Sequence, residues 1–323
     1  MANPSFAPLP AMASSAPSTP RLIAATVTPF TADRSVDRAS LTRLIQHLTA
    51  AGIREFFVVG STGEAPLLDD EDRQTVIATV RAAAPQAYLH AGVSGQGVKS
   101  VLRHIRAAQA AGADAAVVMS PNFLAFSQDQ LAAYCCAIAD GSGLPIEVYH
   151  HLRMPTPFAI ETIARLAAHP NIVGLKDTNG GDHDRCAEVL AATRGRPWQF
   201  FQGVEKLALS TLQAGGHGCV LAQANIAPRL YRALFDAWSC GDLAAADALQ
   251  QRATALWGIF LRPEVRQSFC HFLQTLKLPL QERGVIRGTT CAMPGPAIAA
   301  DYERMVSEFM RSHLATESAG AGA

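Results

Sequence analysis

The stretch Asn171-Ile172-Val173-Gly174-Leu175-Lys176-Asp177 decides how this chain reads. Ile172 to Leu175 is a short apolar run, bounded by polar residues, that ends on a lysine; its length and β-branched content predict a strand rather than a helix. Runs of the same kind lie on both sides of it, at Leu22–Val27, Glu55–Val59, Ala87–Gly92, Ala115–Met119, Pro145–Tyr149, Trp198–Phe201 and Gly218–Ala222, which makes eight in all. Between them are segments with apolar residues three and four apart, such as Leu41, Leu44, Ile45 and Leu48, or Val101, Leu102, Ile105 and Ala108. Several close on glycine, at Ala51-Gly52, Ala111-Gly112 and Ala214-Gly215, where a helix would stop.

Strand and helix in alternation predict a parallel sheet, and eight repeats predict a closed (β/α)8 TIM barrel rather than an open doubly wound sheet. No GxGxxG follows the first strand, which weakens the dinucleotide-binding alternative. After the eighth unit, Leu243–Phe260, Glu264–Leu276 and Pro296–Met310 read as a C-terminal helical extension. The expected layout is therefore an N-terminal arm over 1–20, a barrel over 21–240, helices over 241–312 and a tail over 313–323. Prolines at 4, 8, 10, 17 and 20 break any apolar core a secretory signal would need.

The 27 basic and 27 acidic residues balance, so no broad attraction to nucleic acid or an anionic membrane is implied, and a small-molecule partner is expected. No apolar run approaches the roughly 18 residues of a membrane span. Seven scattered cysteines without CxxC spacing argue against a disulfide framework or a cysteine metal cluster and fit a reducing cytoplasm.

In such a barrel, reactive groups sit at the C-terminal ends of strands. Four positions carry them: Gly60-Ser61-Thr62-Gly63-Glu64, Tyr149-His150-His151, Lys176-Asp177 and Gly203-Val204-Glu205. Of the four lysines, at 99, 176, 206 and 277, Lys176 alone directly terminates a buried-looking strand. Desolvation there favours a neutral amine that attacks a carbonyl carbon, although a lysine in that place also caps a strand or pairs with Asp177. Tyr149, one unit earlier, is placed to move a proton to or from a substrate oxygen; without Lys176 beside it, a core tyrosine would be the favoured reading. The Ser61-Thr62-Gly63 turn offers backbone N–H groups to a carboxylate, as well as being an ordinary βα turn. His150-His151 and Asp182-His183-Asp184 raise a metal aldolase. Neighbouring strand residues face opposite ways, however, and an Asp at a helix start is explained by capping, so no metal and no cofactor are expected.

On these residues the chain resembles the dihydrodipicolinate synthase and N-acetylneuraminate lyase family of class I aldolases. The resemblance rests on Thr28-Pro29-Phe30, Gly60-Ser61-Thr62-Gly63-Glu64-Ala65-Pro66, Tyr149 and Asn171 to Asp177, in that order, across about residues 20–310. It implies a homotetramer acting on a 2-keto acid, with Lys176 forming the Schiff base, Tyr149 relaying protons and the Ser61-Thr62 turn holding the carboxylate. Ser61 stands where many members have threonine and the lyase branch commonly has serine. The synthase branch has two tyrosines after strand four, where this chain has Pro121-Asn122-Phe123; its carboxylate-binding arginine falls one position later than Arg153. The sialic acid branch has an Asp-Glu pair and a serine where this chain has Glu205-Lys206 and Ala222-Gln223. Arg153, Glu205 and Ala222 are accordingly expected to face the substrate. The leading expectation is retro-aldol cleavage of a 2-keto-3-deoxy sugar acid or similar compound to pyruvate and an aldehyde. A 2-keto-3-deoxy acid dehydratase stands second, dihydrodipicolinate synthesis third, and a catalytically silent ligand-binding barrel is the reading outside enzymes.

Overall fold

Eight parallel strands close on themselves in order β1 to β8 in the computed structural model, which describes residues 19–178, 183–295 and 298–314. The strands are β1 (Arg21–Ala25), β2 (Glu55–Val58), β3 (Tyr88–Gly92), β4 (Ala115–Met119), β5 (Ile146–His151), β6 (Ile172–Thr178), β7 (Gln199–Gln202) and β8 (Gly218–Leu221). Around them run α1 (Arg38–Ala50), α2 (Asp70–Ala83), α3 (Val98–Ala110), α4 (Gln128–Asp140), α5 (Ile160–Leu166), α6 (His183–Ala192), α7 (Ala208–Gln213) and α8 (Pro228–Ser239). This is the TIM barrel expected of the sequence. It is followed by α9 (Leu243–Trp257), α10 (Pro263–Arg266), α11 (Phe269–Glu282) and α12 (Ala300–His313). Most of the expected arm and tail, with Asp182 and Pro296, lies outside the described residues.

Local chemistry starts and stops these elements where the sequence suggests. The Asp37 carboxylate accepts from the Ser40 N–H at 3.0 Å and opens α1; Ser127 and Gln130 form a reciprocal capping box at α4. Gly52, Gly112 and Gly215 end helices with φ of 88°, 99° and 93°, the left-handed turn that glycine takes without a Cβ clash. Two strands run further than their apolar runs. β5 continues through His150 and His151, and β6 through Lys176 to Thr178, because their backbones still pair, His151 opposite Thr178.

Alternate residues of each strand enter the barrel, and they sort by depth. Ile23, Phe57, Val117, Phe201 and Val220 form an apolar centre. Toward the N-terminal end lies a charged cluster. Arg21 donates to Glu55 at 2.7 Å and to Gln199 at 2.6 Å, and His90 bridges Glu147 at 2.8 Å and Glu55 at 3.2 Å. Its members come from β1, β2, β3, β5 and β7, so the cluster ties strands that are not neighbours. Toward the C-terminal end are Tyr149 and Lys176.

Burial pushes the His90 imidazole down, but the Glu147 charge and hydrogen bonds to Glu147 and Glu55 outweigh it and raise its pKa. The folded state then holds this proton more tightly than the unfolded chain. The stability it adds is fully present below the unfolded value near 6.5 and is lost as pH rises through the higher folded value. The unfolding free energy lost in His90→Gln is accordingly expected to be larger at about pH 6 than at about pH 9 in urea titrations. A loss that grows with pH would mean that His90 is neutral in the fold.

Candidate active site

The β5–β6 register sets Tyr149 directly beside Lys176, and the β6–β7 register sets Lys176 beside Phe201. Both side chains are almost wholly buried, Lys176 at 5% exposure and Tyr149 at 3%. The Lys176 ammonium lies 4.1 Å from the centre of the Tyr149 ring and 4.6 Å from that of Phe57, and the two rings meet edge to face. Among the described residues Lys176 makes no ion pair. Asp177, the next residue, faces the other way and pairs with Arg185 at 3.1 Å, so the strand alternation separates the lysine from its neighbouring carboxylate. Gly203, directly after β7, leaves room for the lysine stem: a Cβ there would lie 3.2 Å from Lys176 Cε and 2.1 Å from Thr178 Oγ1.

Burial pushes the Tyr149 phenol up, yet the Lys176 charge, with the Ser61 hydroxyl 3.5 Å away, brings it below its ordinary value. A cationic lysine at this distance therefore favours the phenolate form of Tyr149.

Lys176 and Tyr149 stand at the floor of a cavity of about 740 Å³. Ser61, Thr62, Arg153, Glu205 and Ala222, all singled out in the sequence, also line it. Gly63 does not. Its carbonyl accepts from Thr28 Oγ1 at 2.8 Å, behind the turn. Within that turn the Glu64 and Ala65 N–H groups are used by Ser61 and Gly60 carbonyls, while among the described residues nothing accepts from the Ser61 and Thr62 N–H groups. The turn is reached through Val59, a β-branched residue held at φ 54°, and Glu64 at φ 62°.

Glu205 enters from beyond β7. One of its oxygens accepts from the Ala222 and Gln223 N–H groups at 3.0 and 3.2 Å, and burial raises its pKa despite them. His150 and His151 split as alternation requires. His150 faces the α5 side, accepts from the Phe158 N–H at 3.3 Å, and is pushed down to about 3 by burial and by Arg185. His151 faces the cavity, accepts from the Arg153 N–H at 3.0 Å, and is pushed down to about 4 by burial and by Lys176 and Arg153. Sequence reasoning had not placed His151 in the site; continuing the in-out alternation from Tyr149 finds it. Among the described residues no three His, Cys, Asp or Glu side chains gather as a metal site.

The pattern that defines the dihydrodipicolinate synthetase family matches residues 18–312. The chain belongs to this family. Two 4-hydroxy-tetrahydrodipicolinate synthases are close to it in sequence. That of Acidiphilium cryptum is 36% identical over 236 residues, 72% of this chain and 80% of that one. That of Gluconacetobacter diazotrophicus is 31% identical over 289 residues, covering 88% and 94%. A solved structure, the chloride-inhibited dihydrodipicolinate synthase from Acinetobacter baumannii complexed with pyruvate, superposes with a TM-score of 0.83 at 26% identity, over 92% of this chain and 99% of that one. A prophage protein of the same family from E. coli K12, also solved with pyruvate, shares the fold with a TM-score of 0.84 at 23% identity, over 91% and 98%. As a member of the dihydrodipicolinate synthetase family the chain is an enzyme of the class I, Schiff-base aldolase and lyase type.

The Ser61-Thr62 turn is braced from outside the barrel. Glu64 accepts from Lys277 of α11 and from the Ala292 N–H, each at 2.7 Å, and both charged groups are fully buried. Removing one member strands the other charge out of water. Lys277→Met is expected to lose about 3–5 kcal/mol of unfolding free energy, and adding Glu64→Gln to recover part of that loss. Equal, additive losses in equilibrium unfolding would contradict a coupled pair.

Proposed function

We propose that this enzyme binds a 2-keto acid as a Schiff base on Lys176 and cleaves a 4-hydroxy-2-keto acid to pyruvate and an aldehyde. The observation that carries the reading is a buried lysine, without an ion pair among the described residues, in register with a buried tyrosine in one cavity. The neutral amine of Lys176 attacks C2, the Tyr149 phenol protonates the departing hydroxyl, and loss of water gives the protonated imine with Tyr149 left as the phenolate. Tyr149 then takes the proton of the C4 hydroxyl, the C3–C4 bond breaks, its electrons pass into the C2–C3 enamine, and the aldehyde leaves. Protonation at C3 and hydrolysis by water release pyruvate and the lysine. Free N–H groups at Ser61 and Thr62 support a carboxylate held over the turn, and Arg153 stands at the rim of the same cavity. His151 deepens this reading. With Nδ1 accepting from the Arg153 N–H, its hydrogen resides on Nε2, so a neutral donor is available to the C4 oxygen.

A 2-keto-3-deoxy sugar acid is one substrate of this kind, and loss of the C4 hydroxyl after deprotonation at C3 would make the same site a dehydratase. Synthesis of 4-hydroxy-tetrahydrodipicolinate is the second reading, favoured by the names of the relatives. Against it stand Asn122, whose side chain is bonded to Gln96, and Phe123, 83% exposed, where the synthase branch has its second and third hydroxyls.

Tyr149→Phe is expected to lower turnover of a 4-hydroxy-2-keto acid by about 10²–10⁴-fold while still forming the imine with pyruvate. Lys176→Ala is expected to abolish both. The assay is pyruvate release coupled to a dehydrogenase, with borohydride trapping alongside; turnover that survives in Lys176→Ala, or is lost to a chelator, would sink the reading.

A further inference from the structure

The cavity above Lys176 has two unlike halves. The barrel half carries the hydroxyls of Ser61, Thr62, Tyr149 and Thr178, with His151, Arg153 and Glu205. The other half comes from residues 257–272, where α9 hands over to α11. It presents Trp257, Phe260, Leu261, Val265, Phe269 and Phe272 to the cavity. The four rings touch in series. Trp257 and Phe260 have centres 5.2 Å apart, Phe260 and Phe272 also 5.2 Å, and Phe269 stacks on Phe272 at 5.6 Å. Phe260 is buried at 4% exposure and anchors the row, while Phe269 and Leu261, at 40% and 58%, leave apolar surface open at the mouth. Open apolar surface fixed on a buried ring, and continuous with a reactive lysine, is a ligand-binding wall rather than leftover surface.

We infer that the part of the substrate that leaves as the aldehyde carries an aryl group, which packs against this wall. The inference rests on the Schiff-base reading of Lys176. The six wall side chains offer no hydrogen-bond acceptor and a single donor, the Trp257 indole N–H. A polyhydroxylated chain lying there would exchange water for carbon at each hydroxyl. The polar side chains this segment adds, among the described residues, are Arg266 and Ser268. Ser268 is already engaged: its hydroxyl accepts from the His271 N–H at 3.2 Å and meets His271 Nδ1 at 2.8 Å. Across the cavity, Val220 and Ala222 bring no polar atom on their side chains, and one Glu205 oxygen is held by backbone N–H groups. An aryl ring needs no hydrogen-bond partner from the six wall side chains, and Arg266 beside them can lie over an aromatic face. The ring gains burial and edge or face contacts with the rings already in place. The wall is also held in register with the carboxylate turn, because α11 carries the lysine that pairs with Glu64.

The condensation direction tests this with simple probes. The pyruvate enamine attacks the aldehyde carbon through C3, the new C3–C4 bond forms, the aldehyde oxygen takes up a proton, and water hydrolyses the imine to free the product. With pyruvate present, kcat/KM for benzaldehyde is expected to exceed that for glyceraldehyde by at least about tenfold. Phe269→Ala, at the open end of the row, is expected to raise KM for benzaldehyde several-fold with a smaller change in kcat. Equal use of the two aldehydes, or preference for glyceraldehyde, overturns the inference. Borohydride trapping with pyruvate alone separates the two readings. An adduct without use of benzaldehyde overturns the aryl wall and leaves the Schiff base standing; no adduct overturns both.

Discussion

Closure of the eight-stranded sheet in parallel register is the constraint on which the remaining structure depends. Closure gathers the C-terminal ends of all strands into one ring, and the register decides which residues meet there. Tyr149 pairs with Lys176, and Lys176 with Phe201, before any side chain chooses a rotamer. The alternation of a strand then divides reactive from structural groups. Lys176 and His151 turn inward, while Asp177 and His150 turn to the layer between barrel and helices, where Arg185 and the Phe158 N–H receive them.

Depth within the barrel supplies the electrostatics. The apolar centre built from Ile23, Phe57, Val117, Phe201 and Val220 separates two charged regions, the Arg21–Glu55–His90–Glu147 cluster below and the lysine and tyrosine above. Lys176 and Tyr149 are themselves buried, so charge between them is weakly screened: the Lys176 charge lowers the tyrosine and, with burial, helps push His151 down. The Glu64–Lys277 pair works differently. It fixes the turn after β2 to a helix of the extension, so that two sides of the cavity are tied together.

Much of this was legible in the sequence because strands and helices of a βα barrel have distinct periods. Short apolar runs bounded by turns located all eight strands within a few residues, and glycines closed helices where expected. The misplaced ends share a cause. Polar residues after Tyr149 and Leu175 looked like loop, yet at a barrel mouth polar side chains still stand on paired backbone. The lower cluster was hidden for a related reason, since Arg21 and Glu55 sit at strand edges and their inward direction follows only from closure. The Ser61-Thr62 turn, Tyr149 and Lys176 were conspicuous together, because each has an ordinary structural use alone but all three stand at strand ends that a closed barrel gathers into one ring. The wall over 257–272 could not be read, because apolar residues at helical spacing look the same whether they face a core or a ligand.

The central claim is that one buried amine, Lys176, is the covalent centre of this site. The direct measurement is reduction of the enzyme with borohydride in the presence of pyruvate, followed by peptide mapping of the adduct by mass spectrometry. The chain has only four lysines, and another of them, Lys277, is also fully buried, so burial alone does not choose between the two. The account predicts a single adduct on Lys176. An adduct on Lys277 or on a surface lysine, or none at all, would contradict it.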